Sequence, residues 1–91
     1  MNIRFTPRAL AELDAVLDFV AERSPSGARR IQQRIRSLID LLPNFPNAGQ
    51  QTSVAQLRRL VVTPFPYAIF YRPAAGDIVI VSVRHTARKP E

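Results

Sequence analysis

The single histidine of the chain, His85, sits among Arg84, Arg88 and Lys89. An imidazole can act as a general base, or donate a hydrogen bond to an anion. The arginines around it offer planar forks of donors that match phosphate and carboxylate oxygens. Arg58 and Arg59 form a second basic pair, and Arg72 closes the aromatic run from Tyr67. These residues could grip a nucleic-acid phosphate or a carboxylate-rich protein. They do not make up a catalytic set, because one base without a positioned nucleophile or acid is no enzyme signature. A cap on the end of a strand is the alternative role for His85, and a solvated basic terminus is the alternative for Arg84, Arg88 and Lys89.

Other candidates read as structure. Phe65, Tyr67, Phe70 and Tyr71 could stack on bases, yet their spacing in an apolar strand suits a core. Glu12, Asp14, Asp18 and Glu22 fall away from a helical apolar stripe and read as a solvated face. With no cysteine there is no disulfide and no thiolate metal site, and one histidine does not build a zinc centre. Gly27, Gly49 and Gly76 are isolated, so no glycine-rich phosphate loop is formed. No cofactor is expected.

The charge is uneven as well as large. The 91 residues carry a net +6, and residues 57–91 hold six basic side chains against two acids. Twelve of the thirteen basic residues are arginine, a bias toward planar anion recognition. No apolar run approaches the roughly 20 residues of a membrane span, and Arg4 and Arg8 interrupt any signal-like stretch. The expectation is one soluble, cytoplasmic domain over residues 1–91, small enough for a single core.

The elements that position the basic residues follow from periodicity. Leu57–Val62 is a β-branched run that Thr63-Pro64-Phe65-Pro66 stops, since proline removes a backbone donor and restricts its predecessor. Tyr67–Arg72 alternates, Pro73–Asp77 has turn chemistry, and Ile78–Val83 is almost wholly apolar and expected to be buried on both faces or nearly so. The last two strands form an antiparallel hairpin. Consecutive side chains on a strand point to opposite faces, so only one of Arg58 and Arg59 can face a core.

Upstream, residues 2–6 alternate as a short strand. Thr6-Pro7 then opens a helix, with a hydroxyl cap followed by proline at the first helical position. Leu10, Leu13, Val16, Leu17 and Val20 form one stripe, and Ala28, Ile31, Ile35, Leu38, Ile39 and Leu42 a second, separated by a short break at Ser24–Gly27. Pro43–Gly49 ends the second helix, and Gln50–Gln56 reads as a polar loop. The order is β-α-α-β-β-β, an α+β fold with a helical hairpin on one face of a small, mainly antiparallel sheet. The other face is left open for Arg58 or Arg59, Arg72, Arg84 and Arg88, and an open sheet edge could take a strand from a partner.

That order, together with several segments, resembles the RelE/ParE superfamily of bacterial toxins from type II toxin–antitoxin systems. The segments are the Thr6-Pro7 helix start with Ala9, Leu10 and Asp14, the Arg58-Arg59 pair, Pro66-Tyr67-Ala68-Ile69-Phe70-Tyr71-Arg72, and Ile80 to Pro90 with its His85-x-x-Arg88-x-Pro90 ending. The resemblance covers essentially the whole chain. It implies one of two growth-arresting activities, each neutralised by an acidic antitoxin whose C-terminal segment wraps the toxin. RelE-like members are ribosome-dependent mRNA endonucleases, and ParE-like members poison DNA gyrase. The nuclease pattern carries an arginine where this chain has Ala68, and it extends to a terminal tyrosine or helix where this sequence stops at Glu91. The expectation is therefore the ParE-like branch: a non-enzymatic inhibitor that stabilises the cleaved-DNA state of gyrase. Its expected target-binding residues are Arg58, Arg59, Arg72, Arg84, His85, Arg88 and Lys89. The alternative is mRNA cleavage by His85 and Arg88.

Overall fold

Two prolines set where the helices begin. In the computed structural model, which describes residues 2–87, Thr6 and Ser24 adopt extended backbone and accept hydrogen bonds on their side-chain oxygens from the amides of Ala9 and Gly27, each at 3.0 Å. Pro7 and Pro25 follow as first helical residues, where a missing N–H costs nothing. The helices are α1 (Pro7–Ala21) and α2 (Pro25–Leu41), preceded by strand β1 (Asn2–Phe5). Strands β2 (Gln50–Gln51), β3 (Arg58–Val61), β4 (Tyr67–Ala74) and β5 (Asp77–His85) complete the chain.

The five strands form one sheet in the order β1-β5-β4-β3-β2. β1 runs parallel to β5, with Asn2 opposite Asp77 and Phe5 opposite Ile80, and the other neighbours are antiparallel. Gly76 makes the β4–β5 turn at a φ of 76°, a conformation that disfavours a Cβ. The α+β fold and the terminal hairpin match the sequence expectation. One strand does not. The stretch read as a polar loop contains β2, which pairs Gln50 with Arg59 and Gln51 with Arg58.

The core lies between the helical hairpin and one sheet face. Ile31, Ile35, Leu38 and Ile39 of α2 meet Tyr67, Ile69, Tyr71, Ile78 and Ile80, with half-buried Leu13, Val16, Leu17 and Val20 of α1 beside them. Ile69, Tyr71, Ile78 and Ile80 are wholly inaccessible to solvent. Val79 and Val81 stay partly exposed, because among the described residues no helix covers the opposite face of β5. Full burial of both faces of this strand is therefore not reached.

A bulge divides β5. Ile80 pairs with Tyr71 and Ser82 with Phe70, so Val81 is an extra residue. β1 ends opposite Ile80, and from there α1 takes over the freed edge. The Thr6 amide donates to the Ile80 carbonyl at 3.0 Å, and the Thr6 hydroxyl donates to the Val81 carbonyl at 3.1 Å. α1 is thus fastened beside the last half of β5 rather than only lying over the core. Among the described residues no helix is long and apolar enough to cross a membrane.

Candidate functional site

The register of β3 against β4 decides which basic side chains share a face. Arg58 pairs with Tyr71 and Arg59 with Phe70. Since Tyr71 points into the core, Arg58 lies on the helix side and Arg59 on the open side. Arg58 donates from one terminal amine to the carbonyls of Gly49 at 2.7 Å and Asn47 at 3.3 Å, which ties down the loop after α2. Arg59 instead lines a groove of about 860 Å³ between the flank of α1 and the open sheet face.

Three basic side chains enter this groove: Arg8 from α1, Arg59 from β3 and Arg84 from β5. Ala68 and Phe70 of β4 form the floor between the two sheet arginines, and the guanidinium of Arg84 lies 6.0 Å from the centroid of the Phe70 ring. Phe19 on α1 also lines the groove and carries the Arg23 guanidinium 4.0 Å above its ring, a stacked cation–π contact. The surface combines apolar rings with arginine forks, a pairing suited to an anionic partner that also presents apolar or planar groups.

The expected site residues do not all gather here. Arg72 is exposed on the same open face but does not line the groove. His85 lines it, with the ring edge-on to Tyr67 at 5.3 Å between centroids. Its Nδ1 accepts a hydrogen bond from the Ala87 amide at 3.1 Å. That bond makes Nε2 the protonated nitrogen of the neutral ring, and its geometry is that of a cap at the strand end. Arg88 and Lys89 lie outside the described residues.

Two polar residues at the site, Glu12 and Ser82, are not among those expected from sequence. Glu12 was placed on a solvated face, yet its carboxylate is half-buried and accepts from the Ser82 hydroxyl at 2.7 Å and the Val83 amide at 3.2 Å. Its second oxygen lies 3.6 Å from Nε of Arg8, one helical turn back. Two features cause this: β1 stops opposite Ile80, so β1 does not meet the Val83 amide on that edge, and the bulge turns Ser82 to the open side. Ser82, only 4% exposed, accepts in turn from Nε of Arg84 at 3.0 Å. A sequence signal for this existed: Ser82 is the polar residue in an otherwise apolar run, and a buried hydroxyl requires a partner.

Comparison with known proteins agrees with this architecture. The family described as "ParE toxin of type II toxin-antitoxin system, parDE" matches residues 3–90. The chain is 43% identical over 87 residues to Toxin RelE2 of Caulobacter vibrioides, covering 96% of this chain and 97% of that one. Among solved structures it is similar to the chromosomal ParDE toxin–antitoxin system from P. aeruginosa, with a TM-score of 0.83, 26% identity, and coverage of 93% of this chain and 95% of that one. The YoeB/ParE toxin from Agrobacterium tumefaciens shares the fold at a TM-score of 0.66 and 16% identity, over 93% of this chain and 98% of that one. The chain with its helix-flanked basic groove therefore belongs to the ParE toxin family of type II toxin–antitoxin systems, within the RelE/ParE superfamily.

Proposed function

We propose that this toxin inhibits DNA gyrase by binding it and stabilising its cleaved-DNA state, with no bond made or broken by its own side chains. Residues 1–91 are read as one toxin domain acting in the cytoplasm. The groove arginines Arg59 and Arg84 contact gyrase, the DNA it holds, or both. Arg72 and His85 border that contact, and Arg88 and Lys89, which lie outside the described residues, are assigned to target binding on their charge alone.

The observation that carries this reading is Ala68. The nuclease pattern of the superfamily calls for an arginine there. This chain has a methyl group, 2% exposed, on the groove floor between Arg59 and Arg84. In-line attack on a phosphodiester needs charge stabilisation at the phosphate and a proton path. Ala68 supplies no charge, and the Nδ1 lone pair of His85 is already engaged by the Ala87 amide. An arginine gripping an anion needs neither a base nor an acid, so the groove suits binding better than cleavage.

Membership of the family implies a cognate antitoxin. An acidic, partly disordered segment would suit a net charge of +6, gaining order as it covers the basic surface.

The test is a supercoiling reaction with purified toxin, gyrase, ATP and relaxed plasmid. Linear plasmid should accumulate with toxin concentration, and Arg59→Glu or Arg84→Glu should abolish it. Normal supercoiling at saturating toxin would overturn this reading and favour ribosome-dependent mRNA cleavage. That alternative rests on His85 lining the same groove, with Arg88 as its arginine.

A further inference from the structure

The hydrogen bonds around Ser82 have a fixed direction. An ionised carboxylate only accepts and a guanidinium only donates. Arg84 Nε–H therefore donates to the Ser82 oxygen, and the Ser82 hydroxyl donates to Glu12. The Glu12 charge polarises the hydroxyl and makes it a better acceptor for Arg84. Arg84 is otherwise an exposed side chain on a flexible stem, with the rotamer freedom that implies. Bound at Nε, its guanidinium plane is held, while its two terminal amines carry no hydrogen bond among the described residues.

We propose that Ser82 and Glu12 are positioning residues of the target site. Through the Nε tether they hold Arg84 so that its terminal amines present a two-pronged fork to one oxyanion of the target, a phosphate or a carboxylate. This rests on the reading that the groove arginines contact the target. A purely structural role for Ser82 fits less well. Without its hydroxyl, Glu12 would keep the Val83 amide and Arg8, so the helix–strand junction would remain closed.

Two measurements test the relay. The first is hydrogen exchange of the Arg84 Nε–H by NMR, assigned against Arg84→Lys. It should be slowed in the parent protein, at least about tenfold faster in Ser82→Ala, and slowed again in Ser82→Thr, which keeps the hydroxyl. The second is the dose of induced toxin that arrests growth. Ser82→Ala and Arg84→Lys should each need about tenfold more, as expected for a lost hydrogen bond to a charged group. Ser82→Thr should restore the effect, and Ser82→Ala should add nothing to Arg84→Ala. Should Ser82→Ala fold poorly, Arg84→Lys, which keeps the charge and lacks Nε–H, carries the comparison.

Exchange as fast as in a free arginine in the parent would overturn the relay. So would equal behaviour of parent and Arg84→Ala, or additive effects of Ser82→Ala and Arg84→Ala. Growth arrest that follows the relay without linear plasmid in the gyrase reaction would support the relay while overturning the gyrase reading.

Discussion

The phenol oxygen of Tyr71 accepts a hydrogen bond from the Gly49 amide and donates one to the Pro46 carbonyl, both at 2.8 Å. Tyr71 is wholly buried, so this one oxygen satisfies two backbone groups of the loop between α2 and β2 in a place water does not reach. The fit leaves no space at residue 49. A Cβ there would lie 2.8 Å from Cε1 of Tyr71 and 3.0 Å from both its hydroxyl and the Arg59 carbonyl. Gly49→Ala should cost about 1–3 kcal/mol through overpacking. Tyr71→Phe should cost a similar amount, about 1–3 kcal/mol, by leaving the Gly49 amide unpaired. Denaturant melts of both variants check this, and a Gly49→Ala midpoint equal to the parent's would contradict it.

Adjacent arginines should behave differently. Arg58→Ala removes the donor to two loop carbonyls and should lower stability by about 1–2 kcal/mol. Arg59→Ala touches only the groove wall and should stay within about 0.5 kcal/mol of the parent. Its loss should appear instead in the dose that arrests growth. Thermal melts paired with a growth assay separate the two, and interchanged phenotypes would mean that the register is wrong.

Glu12→Ala removes the acceptor of the Val83 amide and of the Ser82 hydroxyl together. A loss of about 1–3 kcal/mol is expected, well above that of Asp14→Ala or Asp18→Ala on the exposed side of the same helix. Equal melting of the three variants would place Glu12 back among the solvated acids.

The antitoxin should stabilise the toxin by mass action. A peptide spanning its acidic segment, at 100 times its dissociation constant, should add about 2.7 kcal/mol and raise the melting temperature accordingly. The gain should shrink in high salt, because a +6 surface attracts it partly through screened charge. An unchanged melting temperature with peptide in excess would remove that segment as the ligand.

Arg88→Glu combined with Lys89→Glu should abolish growth arrest while antitoxin binding persists. Undiminished arrest would take these two residues out of the target contact.

The frame of this fold is written locally. Thr6-Pro7 and Ser24-Pro25 mark both helix starts, and the stripe Ala28, Ile31, Ile35, Leu38 and Ile39 is the buried face of α2. What could not be read depends on pairing. A one-residue slip of β3 would exchange Arg58 and Arg59 between faces, and nothing in the strand itself fixes that register. Strict alternation along β5 would put Ser82 on the side of Ile78 and Ile80. The extra residue Val81, which carries no glycine or proline to announce it, turns Ser82 to the other side instead. Glu12 was obscured for the same reason, since its partners lie 70 and 71 residues away.

The strand flanked by β1 and β4 is the last one among the described residues. Arg84 and His85 arrive with it, and Arg8, Glu12 and Phe19 on the opposite wall come from the first helix. A ribosome that has translated everything up to β4 has therefore made no groove at all. The basic groove is complete only when β5 is paired on both edges, with β1 on one side and β4 on the other. Its walls therefore belong to the folded domain as a whole and to no shorter stretch of the sequence.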